Sequence, residues 1–401
     1  MTTGKHGFGP VRALAATVLL TQLVWLCAPT EPTPQKASVF ADLRIGADYR
    51  GPVQRIAFEA SGDAWMATTE GLYRVRNGRT EEVDMAVGGR RLALAPGGRL
   101  YAWLAYGAAP SGLFTVELLE IPKKPIATLR LPEAPFGFGS LYLGGPGELI
   151  VTATPLQDSE GLGGDFLYVF WSRDGRILSK ATLEGPRIAV MDVSGDALLL
   201  LGTSDAVAFR NDGQQLWRLN GRFRKGAIAA KGTIALLNPA GRSEINEVRV
   251  FGSGQVTSLR MSAPVYDLAL TIDGSEGVVG IGTGEILRVA PLSCNGVACD
   301  PPRTVAGPST GTSGSYKITA LRFVHSKAIA IGKIKEIGAT PPYSYPEGAL
   351  TALTASGDVL IERTIPLQQP ATWSPSVDAS YGLPFFAAHT PERVSLVRLD
   401  P

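Results

Sequence analysis

From Arg55 onward the chain alternates short apolar runs with brief polar punctuation, and this rhythm continues almost to the C-terminus. Between Arg55 and Val83 the apolar runs IAFEA, AWMAT and LYRVR and the polar TEEV are separated by SGD, TEG and NG. Each run is of strand length and rich in β-branched or aromatic residues. The separators carry the Gly, Asp and Asn that tight hairpin turns require. No window shows a sustained helical period; what recurs is a short apolar run, a turn and another apolar run. The segment therefore predicts four antiparallel strands in about thirty residues.

The same four-beat unit recurs along the chain. It spans Arg91–Leu131, Leu141–Leu183, Ile188–Asn220, Ala227–Met261, Asp267–Gly307 and Ile318–Pro366. A last unit from Val377 has three strands only. The first strands begin near Ile56, Leu92, Leu141, Ile188, Ile228, Leu268, Ile318 and Val377, seven intervals with a mean of about 46 residues. A lone four-stranded sheet of this kind cannot bury both faces, whereas sheets arranged in a ring cover one another. Runs such as Ala197–Ser204 and Val278–Gly284 suit crowded strands near the axis of such a ring. The incomplete unit finds its fourth strand at the other end of the chain, in SVFADLRIG at residues 38–46. Pairing there would close the ring and hide an edge. The expected fold is all-β: an eight-bladed β-propeller of four-stranded blades closed by an N-terminal strand, with seven blades as the alternative.

AVAFRNDGQQLWRLN, residues 206–220, resembles the repeat of the PQQ-type, or quinoprotein-like, β-propellers, in which a tryptophan of the fourth strand docks between blades. The resemblance implies that Asn211-Asp212-Gly213 forms the turn and that Trp217 packs between neighbouring sheets. Leu167–Leu183 and Leu350–Pro366 repeat the beat without the tryptophan, and Gly62–Gly78 is similar to the propeller repeats of bacterial sensor ectodomains. Among exported bacterial proteins, the whole pattern is similar to the outer-membrane β-barrel assembly scaffold, a group that binds partners and is not catalytic.

The N-terminus bears on compartment. Residues 1–12 carry Lys5 and Arg12 and no acid, and the uncharged ALAATVLLTQLVWLCA follows. A basic start and an apolar core of about 15 residues form an export signal, slightly short of the roughly 20 residues of a comfortable membrane span. Cys27 closes the apolar run and precedes a Pro/Thr-rich stretch, an arrangement that resembles a bacterial lipoprotein signal with Cys27 as the lipidated residue. Leu26 departs from the small residue such signals place before the cysteine, so an uncleaved signal anchor and a secreted form stay open. The chain divides into an export signal (1–28), a tether (29–37) and the propeller (38–401). All readings place the body outside the cytoplasm, in the periplasm or at the outer membrane, or secreted.

Composition agrees and removes several functions. Hydrophobic residues make up 45% of the 401 and charged residues 18%, which argues against disorder. The 47 glycines and 29 prolines exceed the roughly 7% and 5% of average chains, as a turn-rich β fold would. Thirty-eight basic against 36 acidic residues leave a net charge of +2, so no field steers the chain to nucleic acid. The local run Arg218, Arg222, Arg224, Lys225 and the pair Arg90-Arg91 read as solvated strand rims.

Cys294 and Cys299 close a tight loop, and an even pair in an exported chain predicts a disulfide pinning an insertion. The calcium ligands and adjacent-cysteine disulfide of a PQQ enzyme have no counterpart, so no cofactor is expected. Gly307–Gly311 matches G-x-S-x-G, but a flexible loop and a strand follow instead of the helix that the nucleophile turn needs. GIGTGE and GLGGDF lack the dinucleotide spacing and read as hairpin turns. His325 and His389 are the histidines outside the N-terminal segment, and they offer a metal-dependent hydrolase or lyase one reading if both reach the same axial face. The loop GATPPYSYPEG presents Tyr343 and Tyr345 amid prolines, a composition that interfaces favour. The sequence thus points to a monomeric, membrane-tethered propeller acting as a binding or scaffolding module for envelope proteins, with the metal-dependent enzyme as the alternative.

Overall fold

The computed structural model describes residues 34–86, 91–95, 100–105, 115–130, 140–144, 149–156, 165–183, 191–194, 196–202, 204–241, 245–307, 310–311, 314–336, 347–367, 375–380 and 382–401. These form eight antiparallel sheets in a ring, an eight-bladed β-propeller. Among them are two single-turn 3-10 segments, Pro291–Ser293 and His325–Lys327, and no α-helix. Blades 1 to 7 span residues 53–85, 91–130, 140–183, 191–220, 223–260, 265–306 and 310–366, and blade 8 consists of residues 376–400 with Lys36–Arg44.

Within a blade the strands follow chain order, so each hairpin is made by its own turn. Asn77, Gly175, Gly213 and Gly254 have positive φ at turns between third and fourth strands, where the NG, DG and GSG sequences predicted hairpins. First strands of neighbouring blades meet around the axis for blades 1 to 3 and 4 to 8, and again between blades 8 and 1. Blade 8 receives its outer strand from the N-terminus: Lys36 pairs with Asp400 and Arg44 with Arg393. That strand begins two residues ahead of the predicted Ser38, because the last strand runs on to Asp400 and offers Lys36 and Ala37 partners.

Two further differences concern the inner ring. Blade 7 has five strands, since Thr310–Gly311 folds back on Gly314–Ser315. The Gly307–Gly311 segment therefore leads into strands, with Ser309 outside the described residues. The small-residue runs Ala197–Leu201 and Gly277–Ile281 are second strands, one place out from the axis and buried throughout. The axial strands themselves carry Arg55, Lys225, Asp267 and Asp378.

The core is distributed accordingly. Eight clusters of buried apolar side chains fill the eight interfaces between neighbouring blades, one each. Tyr73, Tyr101, Tyr168, Phe58, Phe170, Phe209 and Phe386 are the largest of the fully buried side chains, and Trp65, Trp103 and Trp171 join the same clusters. A large apolar side chain contributes roughly 1.5–3 kcal/mol on full burial, against at most about 1 kcal/mol for an exposed ion pair. Hydrophobic packing between blades, not surface charge, holds the ring.

Candidate interaction face

The strand directions give the ring two distinct ends. Turns between first and second strands and between third and fourth strands emerge at one end, as do Pro34 and Pro401. The other end carries the second-to-third turns and the connections between blades. The large exposed hydrophobic side chains among the described residues all lie at the first end. They are Ile177 and Leu178 at the start of an outer strand of blade 3, Ile272 in the inner turn of blade 6, Leu292 and Val297 in its outer connection, and Val359 in blade 7. Val297 is 90% exposed and Leu292 67%. Scattered exposed apolar residues are ordinary on a protein surface, but segregation to one end is not expected from scatter.

The blade 6 connection, residues 290–302, is the most elaborate part of this face. Pro291 sets the backbone of a 3-10 turn, and Cys294 and Cys299 are joined by a disulfide with Cα atoms 4.1 Å apart. Asn295 accepts hydrogen bonds through Oδ1 from the Val297 and Ala298 amides at 3.1 and 2.9 Å. That side-chain turn brings Gly296 to a positive φ, where its N–H donates to Thr257 Oγ1 of blade 5 at 2.9 Å. Ser293 Oγ donates to the Ala290 carbonyl and accepts from the Asp300 amide. Both cysteines pack on the core between blades 5 and 6. The loop is thus tied to the ring at several points while Leu292 and Val297 project into solvent. Rigid presentation of apolar side chains lowers the ordering cost of binding.

Around the axis the polar chemistry is structural. Asp267 Oδ2 on the first strand of blade 6 accepts the Leu321 amide of blade 7 at 2.8 Å. Asp378 Oδ2 does the same for the Ile56 amide of blade 1 at 2.8 Å. Irregular pairing at Ile318/Ala320 and Val53/Arg55 lies just before both donors. A bulge disrupts the ladder locally, and the neighbouring aspartate supplies an acceptor there. Lys225 lies 3.3 Å from Asp267, and Arg224 hydrogen-bonds Asn238 Oδ1 and the Val265 carbonyl. Half of the Arg218–Lys225 run, Arg224 and Lys225, therefore belongs to the seam between blades 5 and 6 and not to a solvated rim. Arg218 itself pairs with buried Asp205 at 2.6 Å.

His325 and His389 are not brought together. His325 sits in the inner turn of blade 7, its Nδ1 3.1 Å from the Gly382 carbonyl of blade 8. His389 ends the second strand of blade 8, at the opposite end of the ring, and its Nε2 is 3.0 Å from Asp378 Oδ2. Burial pushes the Asp378 carboxyl up, but the His389 hydrogen bond and charge, Arg55 and the Ile56 amide outweigh it and hold its pKa at about 2. Among the described residues no group of three or more His, Cys, Asp or Glu side chains is placed to hold a metal ion. The shared axial metal site that the two histidines suggested is therefore not formed by them.

Cys27 and the tyrosines Tyr343 and Tyr345 lie outside the described residues. Trp217 packs where the sequence indicated. Its Nε1–H donates to the Gly232 carbonyl of blade 5 at 2.6 Å, and its ring stacks on Phe251 at 4.3 Å. Sequence reading missed Leu292, Val297, Asp267 and Asp378. A legible signal existed for the aspartates, since VYDLAL and SVDAS place Asp at the same beat of otherwise apolar first strands.

No family model matches the chain, and no curated protein does. Solved structures do. The fold is similar to the β-propeller domain of Myceliophteria thermophila Cps50 (Swd1), with a TM-score of 0.50 and 10% identity over 91% of this chain and 100% of that one. It is also similar to the Dos1 propeller, with a TM-score of 0.51 and 10% identity over 90% and 96% of the two chains. The likeness is one of architecture. No helix among the described residues is long and apolar enough to cross a membrane.

Proposed function

We propose that this propeller is a membrane-tethered, extracytoplasmic binding module, non-catalytic, whose partner is a protein docking on the end of the ring that carries Leu292 and Val297. The one-sided distribution of exposed apolar side chains supports this reading most directly. The Cys294–Cys299 disulfide supports an oxidising compartment, since such bonds persist chiefly outside the cytosol. The basic, apolar, Cys27-terminated start supports tethering. The likeness of the repeat to PQQ-type propellers and to the outer-membrane assembly scaffold supports partner binding.

A photo-crosslinking side chain at Val297 or Ile272 tests the docking face, with Glu70, exposed at the other end of the ring, as control. In intact cells, positions 297 and 272 should yield one defined adduct and position 70 none. Val297→Asp should reduce the adduct formed from position 272 about tenfold or more, as removal of an interface anchor does. Equal adducts from position 70, or none from position 297, would overturn the reading. Tethering is tested separately: Cys27→Ala should move the protein from the membrane fraction to the soluble one.

A further inference from the structure

Between the outer strands of blades 7 and 8 lies a small, open cleft lined by Arg44, Arg363, Arg393, Asp42 and Ser395 among others. Its charges are unusual in placement. Arg44 and Arg393 stand directly opposite each other on paired antiparallel strands. Directly opposed side chains share a sheet face with Cβ atoms about 5 Å apart, and like charges there repel. Neither guanidinium has a carboxylate partner among the described residues. One step along the same face the corresponding pair is complementary: Ser395 Oγ donates to Asp42 Oδ1 at 2.8 Å. Asp42 Oδ2 accepts from Arg363, which reaches across from blade 7. Three arginines against one aspartate leave the cleft with a charge of +2. The single carboxylate is already engaged, and the Arg44–Arg393 repulsion is left without compensation.

We infer that this cleft is a binding site for a compact phosphate-type dianion, bridged by Arg44 and Arg393, with Arg363 and Asp42 as its fixed wall. The planar guanidinium fork matches the paired oxygens of a phosphate group, and such charge-assisted bonds are among the strongest a surface cleft makes. An anion of charge −2 would neutralise the cleft and convert the opposed arginines from a repulsive pair into a clamp. This site is independent of the apolar docking face. The same headgroup chemistry is carried by free phosphate compounds and by anionic lipids, and both are tested.

The probe is inorganic phosphate, titrated calorimetrically into the folded protein in a buffer free of oxyanions, with sodium chloride matching ionic strength. Wild-type protein should bind about one phosphate. Arg44→Gln with Arg393→Gln should weaken binding about tenfold or more, the loss expected for charge-assisted bonds. Arg398→Gln, an exposed residue paired with Asp400, should leave binding unchanged. Both substitutions of the double variant are at exposed or half-exposed positions. Thermal melting in oxyanion-free buffer should show that variant at least as stable as wild type. Co-flotation with phosphatidic acid vesicles but not phosphatidylcholine vesicles, lost in the double variant, would identify the source as a lipid headgroup. Phosphate binding without co-flotation would identify a soluble one. Absence of binding in both arms, or binding unchanged in the double variant, would overturn the site.

Discussion

Asp378 shows how one side chain can carry several duties in a seam. It accepts a backbone amide from blade 1, pairs with His389 of its own blade, and lies near Arg55. Its folded-state pKa of about 2 lies below the roughly 3.9 of an unfolded aspartate. The stability it contributes is therefore present above pH 4 and is lost as pH falls from 4 toward 2. The linkage amounts to about 2 kcal/mol, since a tenfold change in proton affinity between the folded and unfolded chain corresponds to about 1.4 kcal/mol. Denaturant titrations at pH 5 and pH 2 should show wild type losing about that much more than Asp378→Asn, in which this position no longer titrates. Equal losses would show that other carboxylates dominate acid unfolding. Trp217 stands beside this as a residue whose role was legible, because the PQQ-type repeat that residues 206–220 resemble docks such a tryptophan between blades. For Asp378 the sequence offers only the beat at which it stands, and its partner, a backbone amide 322 positions away, came from the ring.

At the scale of the element, the turn glycines join local and long-range demands. Gly357 has φ +101 in the outer turn of blade 7, and a Cβ there would run into the Val305 carbonyl oxygen of blade 6. Gly46 has φ +78, and a Cβ added there would have nothing within 4 Å. Gly46→Ala should cost only the left-handed backbone penalty, roughly 1–2 kcal/mol. Gly357→Ala adds overpacking against a backbone atom, and its total cost should be about 3 kcal/mol or more. Unfolding midpoints of the two variants check the difference, and equal midpoints would mean that the seam yields without cost. The glycines mark turns in the sequence, yet which of them also touch the next blade depends on how the sheets are stacked. The same limit hid the blade 6 loop: its cysteines announced a closed loop, but their spacing did not say that Leu292 and Val297 would face solvent.

At the scale of the molecule, the N-terminal strand decides whether the ring is closed. Lys36–Arg44 covers the edge of the last strand and places Leu43 in the core between blades 8 and 1. Removing residues 1–44 should leave an unpaired edge and an opened seam, with aggregation or loss of a single cooperative unfolding transition. A truncated protein that stays monomeric and melts as sharply as the full chain would show that closure is dispensable. The eight-fold period, the hairpin turns and this closing strand were determined by the chain alone. They rest on local alternation and turn chemistry, and on one unit that lacked a strand while a spare stood at the other end. Only the tertiary structure decided what lines each end of the ring, which charges meet across seams, and that two arginines oppose each other at the mouth of a cleft. Those properties arise between residues brought together by ring geometry, and nothing in the spacing along one strand encodes what the neighbouring blade presents to it.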